Sequence, residues 1–316
     1  MKINFKVVAV AVVGVAILSV LGVRFAQFGY TRAWLDVPYH GDRGTFFADV
    51  TGDGRADAIA LNENGIIVRR STGENFANTE VWLPHVYLGE IGNFFADVTG
   101  DGQADAIVIN ESGIAVSTAK LGEFAEHQTW VNRQYYGTKG TFFADVTGEG
   151  KADAIVVNEN GIGVGRSTGS EFLPNETWVE GEYFGDRGIY FADVTGDEKA
   201  DAIVVNHTGI SVRRSQGDRF GKNETWTENP YFGDIGIFFA DVTGDGKADA
   251  IVVNRDGVTV RRSTGSAFAA NEPWTQGIYY GDVSTAFADI TGNGRADAIV
   301  VNNTGIAVKL SEVREW

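Results

Sequence analysis

Short apolar segments separated by polar, glycine-rich turns run along most of the chain. TFFADV (Thr45–Val50) is largely apolar and precedes an acidic loop, and ADAIVVN (Ala152–Asn158) is a β-branched segment that follows such a loop. After an N-x-x-G turn, GISVRRS (Gly209–Ser215) alternates apolar with polar residues, which predicts a strand with one buried and one wet face. A polar link leads to ETWVE (Glu176–Glu180), which predicts a fourth strand. No long helical period occurs after Trp34, so we expect an all-β protein.

This four-strand unit recurs every 48 residues without an insertion. The loop DVTGDGRAD begins at Asp49, and its copies begin at positions 97, 145, 193, 241 and 289. A tryptophan recurs at the same 48-residue interval from Trp34 onward, and an asparagine does so from Asn62 onward. Four antiparallel strands in a repeat of about 40–50 residues are typical of a β-propeller blade. The predicted fold class is therefore all-β, a six-bladed β-propeller of 48-residue four-stranded blades.

The phase of the repeat at the two ends predicts how the ring closes. The chain enters the propeller at TRAWLDV (Thr31–Val37), a fourth-strand equivalent, and leaves after GIAVKLS (Gly305–Ser311), a third-strand equivalent. We therefore expect the first strand to complete the last blade, which would pair two otherwise exposed edges. A seven-bladed propeller is the alternative, if Trp316 ends a partial blade of its own.

The N-terminal segment differs from the repeats. Val7–Val23 is an uninterrupted apolar run that follows two lysines, and as a helix it would reach about 25 Å, the short limit for a membrane span. We predict an N-terminal hydrophobic helix, either an uncleaved signal-anchor or a cleaved signal peptide; a buried element of the domain is the third interpretation. Phe25, Phe28 and Tyr30 are expected at the lipid–water interface.

Two regions follow from these patterns. Residues 1–30 are predicted to form a cytoplasmic stub, the signal-anchor or signal peptide and a linker, and residues 31–316 the propeller. Both leading interpretations of the apolar run export the propeller, so we expect an extracytoplasmic protein that is membrane-anchored or secreted.

Composition narrows the functional classes. The chain has 26 basic and 42 acidic residues, and its formal net charge of −16 repels nucleic acid and attracts cations. There is no cysteine, and the four histidines lack the spacing of a zinc enzyme. No G-x-S-x-G motif or nucleophile beside a base stands out. We therefore expect a monomeric propeller that is not an enzyme and has no nucleic-acid partner.

The acidic loops carry the most specific chemistry. The spacing D-x-T-G-D-G-x-A-D places side-chain oxygens at positions 1, 3, 5 and 9, with a glycine at position 6 for the sharp turn. Hard oxygen ligands that include several carboxylates suit Ca²⁺ better than Mg²⁺, which keeps its waters. Six loops in register predict up to six Ca²⁺ ions. The alternative is a set of solvated Asp-Gly turns without metal.

The six loops are not identical. Glu149 replaces the aspartate at position 5 of the third loop, Glu198 replaces the glycine at position 6 of the fourth, and Asn293 stands at position 5 of the sixth. Glycine's positive φ is expected at position 6, so Glu198 carries a strain cost of about 1 kcal/mol. We expect loops 1, 2 and 5 to bind Ca²⁺ most tightly, and loops 4 and 6 most weakly.

The segment FADVTGDGKADAIVVN (Phe239–Asn254) resembles the FG-GAP/VCBS repeat, the calcium-loop blade of integrin α-chain propellers, of a fungal propeller lectin and of many exported bacterial proteins. The resemblance extends from about Thr31 to Ser311. Threonine stands where the family often has Asn or Asp, and six blades depart from the seven that are common in the family. The resemblance implies that the metal ligands are Asp49, Thr51, Asp53, Asp57, Asp97, Thr99, Asp101, Asp105, Asp145, Thr147, Glu149, Asp153, Asp193, Thr195, Asp197, Asp201, Asp241, Thr243, Asp245, Asp249, Asp289, Thr291, Asn293 and Asp297.

A ligand-binding face is expected opposite the acidic loops. An aromatic pair beside a polar turn precedes nearly every first strand and can stack on a sugar ring or grip a peptide; the alternative is that one ring of each pair packs between blades. The candidate ligand residues are Tyr39, Tyr87, Tyr135, Tyr183, Tyr231 and Tyr279. The predicted function is a membrane-tethered, calcium-stabilised propeller that binds glycan or extracellular protein. A scaffold without a small ligand is the alternative, and a propeller-type lyase or hydrolase is a third.

Overall fold

In the computed structural model, which describes residues 25–314, all regular structure is β. The first strand of the chain is β1 (Phe25–Leu35), and the first three blades follow it in chain order. The first blade comprises β2 (Gly44–Ala48), β3 (Asp57–Asn62), β4 (Gly65–Arg69) and β5 (Glu80–Leu83). The second comprises β6 (Gly92–Ala96), β7 (Asp105–Asn110), β8 (Gly113–Ser117) and β11 (Gln128–Val131), with a small hairpin of β9 (Ala119–Lys120) and β10 (Glu123–Phe124). The third comprises β12 (Gly140–Ala144), β13 (Asp153–Asn158), β14 (Gly161–Gly165) and β15 (Glu176–Glu180).

The remaining blades repeat this order. The fourth blade comprises β16 (Gly188–Ala192), β17 (Asp201–Asn206), β18 (Gly209–Arg213) and β19 (Glu224–Thr227). The fifth comprises β20 (Gly236–Ala240), β21 (Asp249–Asn254), β22 (Gly257–Arg261) and β23 (Glu272–Pro273). The sixth comprises β24 (Ser284–Ala288), β25 (Asp297–Asn302), β26 (Gly305–Arg314) and β1. First strands of neighbouring blades touch around the whole ring, including β24 with β2. The six-bladed prediction is therefore confirmed.

The sixth blade closes the ring with both ends of the chain, as predicted. β1 pairs antiparallel with β26, with Thr31 opposite Lys309 and Leu35 opposite Ile306. Beyond a register shift at Gly29 and Tyr30, the pairing continues to Phe25 opposite Arg314. The C-terminal residues up to Arg314 therefore lengthen β26 rather than begin a seventh blade, and β1 begins six residues before the expected boundary at Thr31.

Phe28 shows why the first strand begins early. This residue lies 48 positions before Phe76, and its ring is 4.9 Å from that of Trp274, as the ring of Phe76 is 5.2 Å from that of Trp34. Phe28 is buried between the fifth and sixth blades, so its expected place at a lipid–water interface is wrong. Tyr30 is 82% exposed.

The predicted N-terminal helix at residues 7–23 lies outside the described residues. Between residues 25 and 314, no helix has the length and apolar character needed to cross a membrane.

Aromatic pairs fill the space between successive blades. Each tryptophan of the column on the fourth strands contacts a phenylalanine of the following blade, with ring centroids 4.9–5.3 Å apart. The second strands are buried along nearly their whole length, which explains their continuous apolar sequence. The tryptophans are therefore packing residues, which agrees with their even spacing.

Candidate functional site

Each acidic loop joins the first and second strands of a blade and is held by its own first aspartate. In the first loop, Asp49 Oδ1 accepts a hydrogen bond from the amide of Gly52 and Oδ2 accepts one from Gly54, both at 2.7 Å. Both glycines have positive φ, 76° and 81°, which turns their amides toward the carboxylate. Thr51 Oγ1 donates to Asp49 Oδ1 at 3.2 Å. The aspartate at position 1 therefore caps the loop backbone.

The aspartate at position 9 lies in the protein interior. Asp57 is fully buried; its Oδ1 accepts a hydrogen bond from Ser71 N at 2.7 Å and its Oδ2 accepts one from Val50 N at 3.2 Å. Burial, together with the nearby charges of Asp53 and Asp49, raises the pKa of Asp57 to about 6, although the hydrogen bonds from Ser71 and Val50 act in the opposite direction. The same burial raises the pKa to about 6 for Asp153 and to about 7 for Asp105, Asp201, Asp249 and Asp297.

The residue at position 5 is exposed and is paired within its own loop. In four of the loops a basic residue at position 7 contacts it, as where Lys199 Nζ lies 3.1 Å from Asp197, Lys247 Nζ lies 2.9 Å from Asp245, and Arg55 pairs with Asp53. Sequence reasoning missed these cations. The signal was present, because position 7 is Lys or Arg in five of the six loops.

The loops fit Ca²⁺ in the chemistry of their donors. Every predicted ligand atom is an oxygen, and the carboxylates of a loop lie close enough that Asp49 and Asp53 raise the pKa of Asp57. In residues 25–314, however, no three acidic or histidine side chains are grouped so that they could hold a metal ion. Asp49 is turned to the loop amides and Asp53 to Arg55. Calcium binding therefore stays a prediction.

Neighbouring loops are also joined to one another. The amide of Ala104, at position 8 of the second loop, donates to the carbonyl oxygen of Asp49 in the first loop at 2.7 Å. The same bond joins every pair of successive loops, and the bond from Ala56 to Asp289 closes the ring at 2.7 Å. A buried Ser71 Oγ adds a hydrogen bond of 2.5 Å to Ile290 O across the same junction. The loops are therefore joints between blades.

The six candidate tyrosines opposite the loops are core residues, so their predicted role as exposed ligand residues is wrong. Their exposed fractions are only 3–7% for Tyr39, Tyr87, Tyr135, Tyr183, Tyr231 and Tyr279. The hydroxyl of Tyr39 lies 3.0 Å from the carbonyl oxygens of both Ala58 and Ile67, and Arg69 covers its ring at 5.2 Å. Burial raises the pKa of each of these tyrosines above its usual value. The ring fills a gap between strands, and its hydroxyl shares its one proton between the two backbone carbonyls.

The second residue of each pair is the more accessible one. These residues are His40, Leu88, Tyr136, Phe184, Phe232 and Tyr280, which are partly or fully exposed. Two of the rings are covered by a cation from the preceding blade: Lys139 Nζ lies 4.6 Å from the ring centroid of Phe184, and Arg187 Cζ lies 4.2 Å from that of Phe232. On the blades that precede Tyr136 and Tyr280, the positions equivalent to Lys139 and Arg187 are occupied by exposed isoleucines, Ile91 and Ile235.

The loop sequence and its position in the blade identify the repeat. Residues 49–108, 193–252 and 241–300 match the FG-GAP-like repeat, and these segments span more than half of the chain. The protein belongs to the FG-GAP-like repeat family. A search of curated protein sequences found no match.

Solved structures similar to this FG-GAP-like propeller show the same fold. A lectin from Agrocybe aegerita that recognises non-reducing terminal N-acetylglucosamine is 23% identical, with a TM-score of 0.60 over 86% of this chain and 79% of the lectin chain. The Tc holotoxin pore of Photorhabdus luminescens is 16% identical, with a TM-score of 0.65 over 92% of this chain. The present chain spans only 14% of that toxin chain.

The fourth and sixth FG-GAP-like loops show what happens where a residue differs from the repeat. Glu198 at position 6 has φ of 65°, and its amide donates to Asp193 Oδ2 at 2.7 Å, as glycine does in other loops. The backbone thus keeps the loop shape at the cost of strain in a non-glycine residue. In the sixth loop, where Asn293 carries no charge, Asp289 is the carboxylate that raises the pKa of Asp297.

Proposed function

We propose that this protein is an exported, calcium-stabilised propeller that binds the terminal sugar of a glycan on the face opposite the acidic loops. The observation that carries the proposal is that Tyr136 and Tyr280 are only partly buried, and that each has an exposed isoleucine of the preceding blade where Phe184 and Phe232 have a covering cation. A flat aromatic face beside polar backbone is suited to stack on the apolar face of a sugar ring.

This face is pre-organised for binding. The asparagine that begins each turn between the second and third strands holds the segment before the first strand: Asn158 Oδ1 accepts a hydrogen bond from Thr138 N at 2.9 Å, and Asn302 Oδ1 accepts one from Asp282 N at 3.0 Å. A surface whose loops are already fixed loses less conformational entropy when a ligand binds. The similar lectin that recognises terminal N-acetylglucosamine favours a sugar over a protein as the ligand.

The acidic loops supply stability in this proposal. Ca²⁺ held by positions 1, 3, 5 and 9 of each loop would neutralise carboxylates that otherwise repel one another, and its binding free energy would add to folding. The loop residues themselves join the blades through their backbone. Export through the apolar segment at residues 7–23, with that segment kept as a membrane tether, completes the proposal.

A glycan array, run with Ca²⁺ and with EDTA, tests the proposal. We expect binding of glycans with a defined terminal sugar, and we expect the double variant Tyr136→Ala and Tyr280→Ala to bind about tenfold or more weakly. Phe184→Ala is the matched control, because this ring occupies the same column but is covered by Lys139, and its removal should leave binding unchanged.

Three results would contradict the proposal. If no glycan on the array binds, a scaffold function is favoured. If the double variant binds as well as the wild type, the two rings are not part of the binding site. If product is released from a glycan, the protein is an enzyme.

A further inference from the structure

An open cavity of about 310 Å³ lies at the junction between the fifth and sixth blades. Its walls come from β1 of the sixth blade and from the residues around β23 of the fifth blade. The volume is at the lower end of the range for small-molecule sites, which suits one sugar ring rather than an extended oligosaccharide.

One departure from the repeat shapes one side of this cavity. β23 has only two residues and ends at Pro273, whereas the fourth strands of the other blades have four or more. Val, Thr or Ala stands at the equivalent position of the other blades, and Pro273 has no N–H to continue the pairing. On the other side, β1 has a register shift between Phe28 and Thr31 that recurs in the other blades, as where Phe76 pairs with Ser71 and Glu80 with Val68. Tyr30 lies at this shift and is 82% exposed.

The lining combines an apolar wall with neutral hydrogen-bonding groups. Pro273 and the buried Trp274 are apolar members of the lining, and Gln27 and Gln276 also line the cavity. Each amide offers both donors and an acceptor, which matches the hydroxyl groups of a sugar. Lys309 Nζ adds a donor; it is held 3.2 Å from Gly29 O and 5.2 Å from the ring centroid of Tyr279.

The charge around the cavity favours a neutral ligand. Lys309 is the one cation in the lining, and the side chain of Glu312 packs against Gly29, another lining residue. The net charge of −16 also repels anions from the surface as a whole.

We propose that the junction cavity is a single binding site for a neutral pyranose, separate from the ring platforms of Tyr136 and Tyr280. The class of ligand rests on the proposed glycan-binding function, but the location does not. One site per chain is expected, since a proline at this position of the fourth strand occurs only at this junction among the described residues.

Ligand-observed NMR and calorimetric titration of the full-length chain test this site. The probes are N-acetylglucosamine, galactose, glucose and mannose, with glucuronic acid as the anionic comparator. We expect at least one neutral sugar to saturate one junction site, and the double variant Gln27→Ala and Gln276→Ala to bind it about tenfold more weakly, because two hydrogen-bonding groups are removed. Glu228→Ala is the matched control, since Glu228 lies 48 positions before Gln276 in the fourth blade and should not affect binding.

The outcomes separate this proposal from the general one. If the glutamine double variant keeps its affinity for the sugar while the double variant of Tyr136 and Tyr280 loses it, the junction site is overturned but the glycan-binding function stands. Loss in the glutamine variant with a melting temperature equal to that of the wild type supports the junction site. Binding of glucuronic acid alone overturns the neutral class, and silence with every sugar overturns both proposals.

Discussion

The two faces of the propeller use the same 48-residue repeat in different ways. On the loop face, the six copies keep the same hydrogen bonds from amides to the first aspartate and from each loop to the next. On the opposite face, the accessible residue of each aromatic pair varies between histidine, leucine, tyrosine and phenylalanine, and a lysine or arginine covers some of the rings. A joint between blades must have one shape in every copy, whereas a recognition surface can differ from blade to blade. The most repetitive motif is therefore architectural, and under the proposed function the variable face is the one that binds the ligand.

We expect removal of Ca²⁺ to have the largest effect on stability. If the loops hold no metal, its removal would have no effect, and the comparison between the two faces would fail. Each occupied site adds stability that grows with the free Ca²⁺ concentration, about 2.7 kcal/mol at 100 times the dissociation constant. We expect EDTA to lower the melting temperature markedly in a calorimetric scan, and added Ca²⁺ to restore it. MgCl₂ at the same concentration is the control. An unchanged melting temperature in EDTA would contradict the calcium prediction.

The dependence of stability on pH should reverse when Ca²⁺ is removed. In the metal-free protein, burial raises the pKa of Asp57 from 3.8 to about 6 and that of Asp249 to about 7, so the folded state binds protons more readily than the unfolded state. The resulting stabilisation is complete below the unfolded value and is lost as the pH rises through the folded values. In EDTA, unfolding in urea should therefore require more denaturant at pH 5 than at pH 7.5. With Ca²⁺ the order should reverse, because the ligands bind metal as carboxylates. Greater stability at pH 7.5 in EDTA would count against the buried position of these aspartates.

Substitution within one loop separates the structural aspartate from the exposed one. Asp249→Ala leaves the buried amides of Val242 and Ser263 without their acceptor and should lower the free energy of unfolding by about 1–3 kcal/mol in EDTA. Asp245→Ala removes an exposed carboxylate paired with Lys247 and should cost less than about 1 kcal/mol in the same buffer. Urea denaturation of both variants gives the comparison. Equal losses would mean that position 9 has no special structural role.

The fold followed from the sequence because a fixed step of 48 residues reports blade count, strand order and ring closure together. The place of Phe28 was missed because the apolar run before it suggested a membrane segment, although Phe28 lies one step before Phe76. The site was harder to predict. The packing of the strands within a blade decides whether Tyr39 points into solvent or lies beneath Arg69. The spacing of residues along the chain does not show this packing.

Glu198→Gly tests the smallest difference, the one between copies of the same loop. Glu198 has φ of 65°, whereas glycines occupy this position in the other five loops with φ of 76–83°. Glycine removes the strain of a side chain in the left-handed region but adds freedom to the unfolded chain, so we expect a net gain of about 0.5–1 kcal/mol in urea denaturation. Leu121→Gly is the matched control, since Leu121 is the other described non-glycine residue with positive φ, 55°, and lies outside the acidic loops. Both variants should gain stability, but only Glu198→Gly should strengthen the Ca²⁺ site of the fourth loop in a calorimetric titration. If the fourth loop were already equivalent to the first, second and fifth, the titrations of Glu198→Gly and of the wild type would coincide, and the ranking of the loops would be wrong.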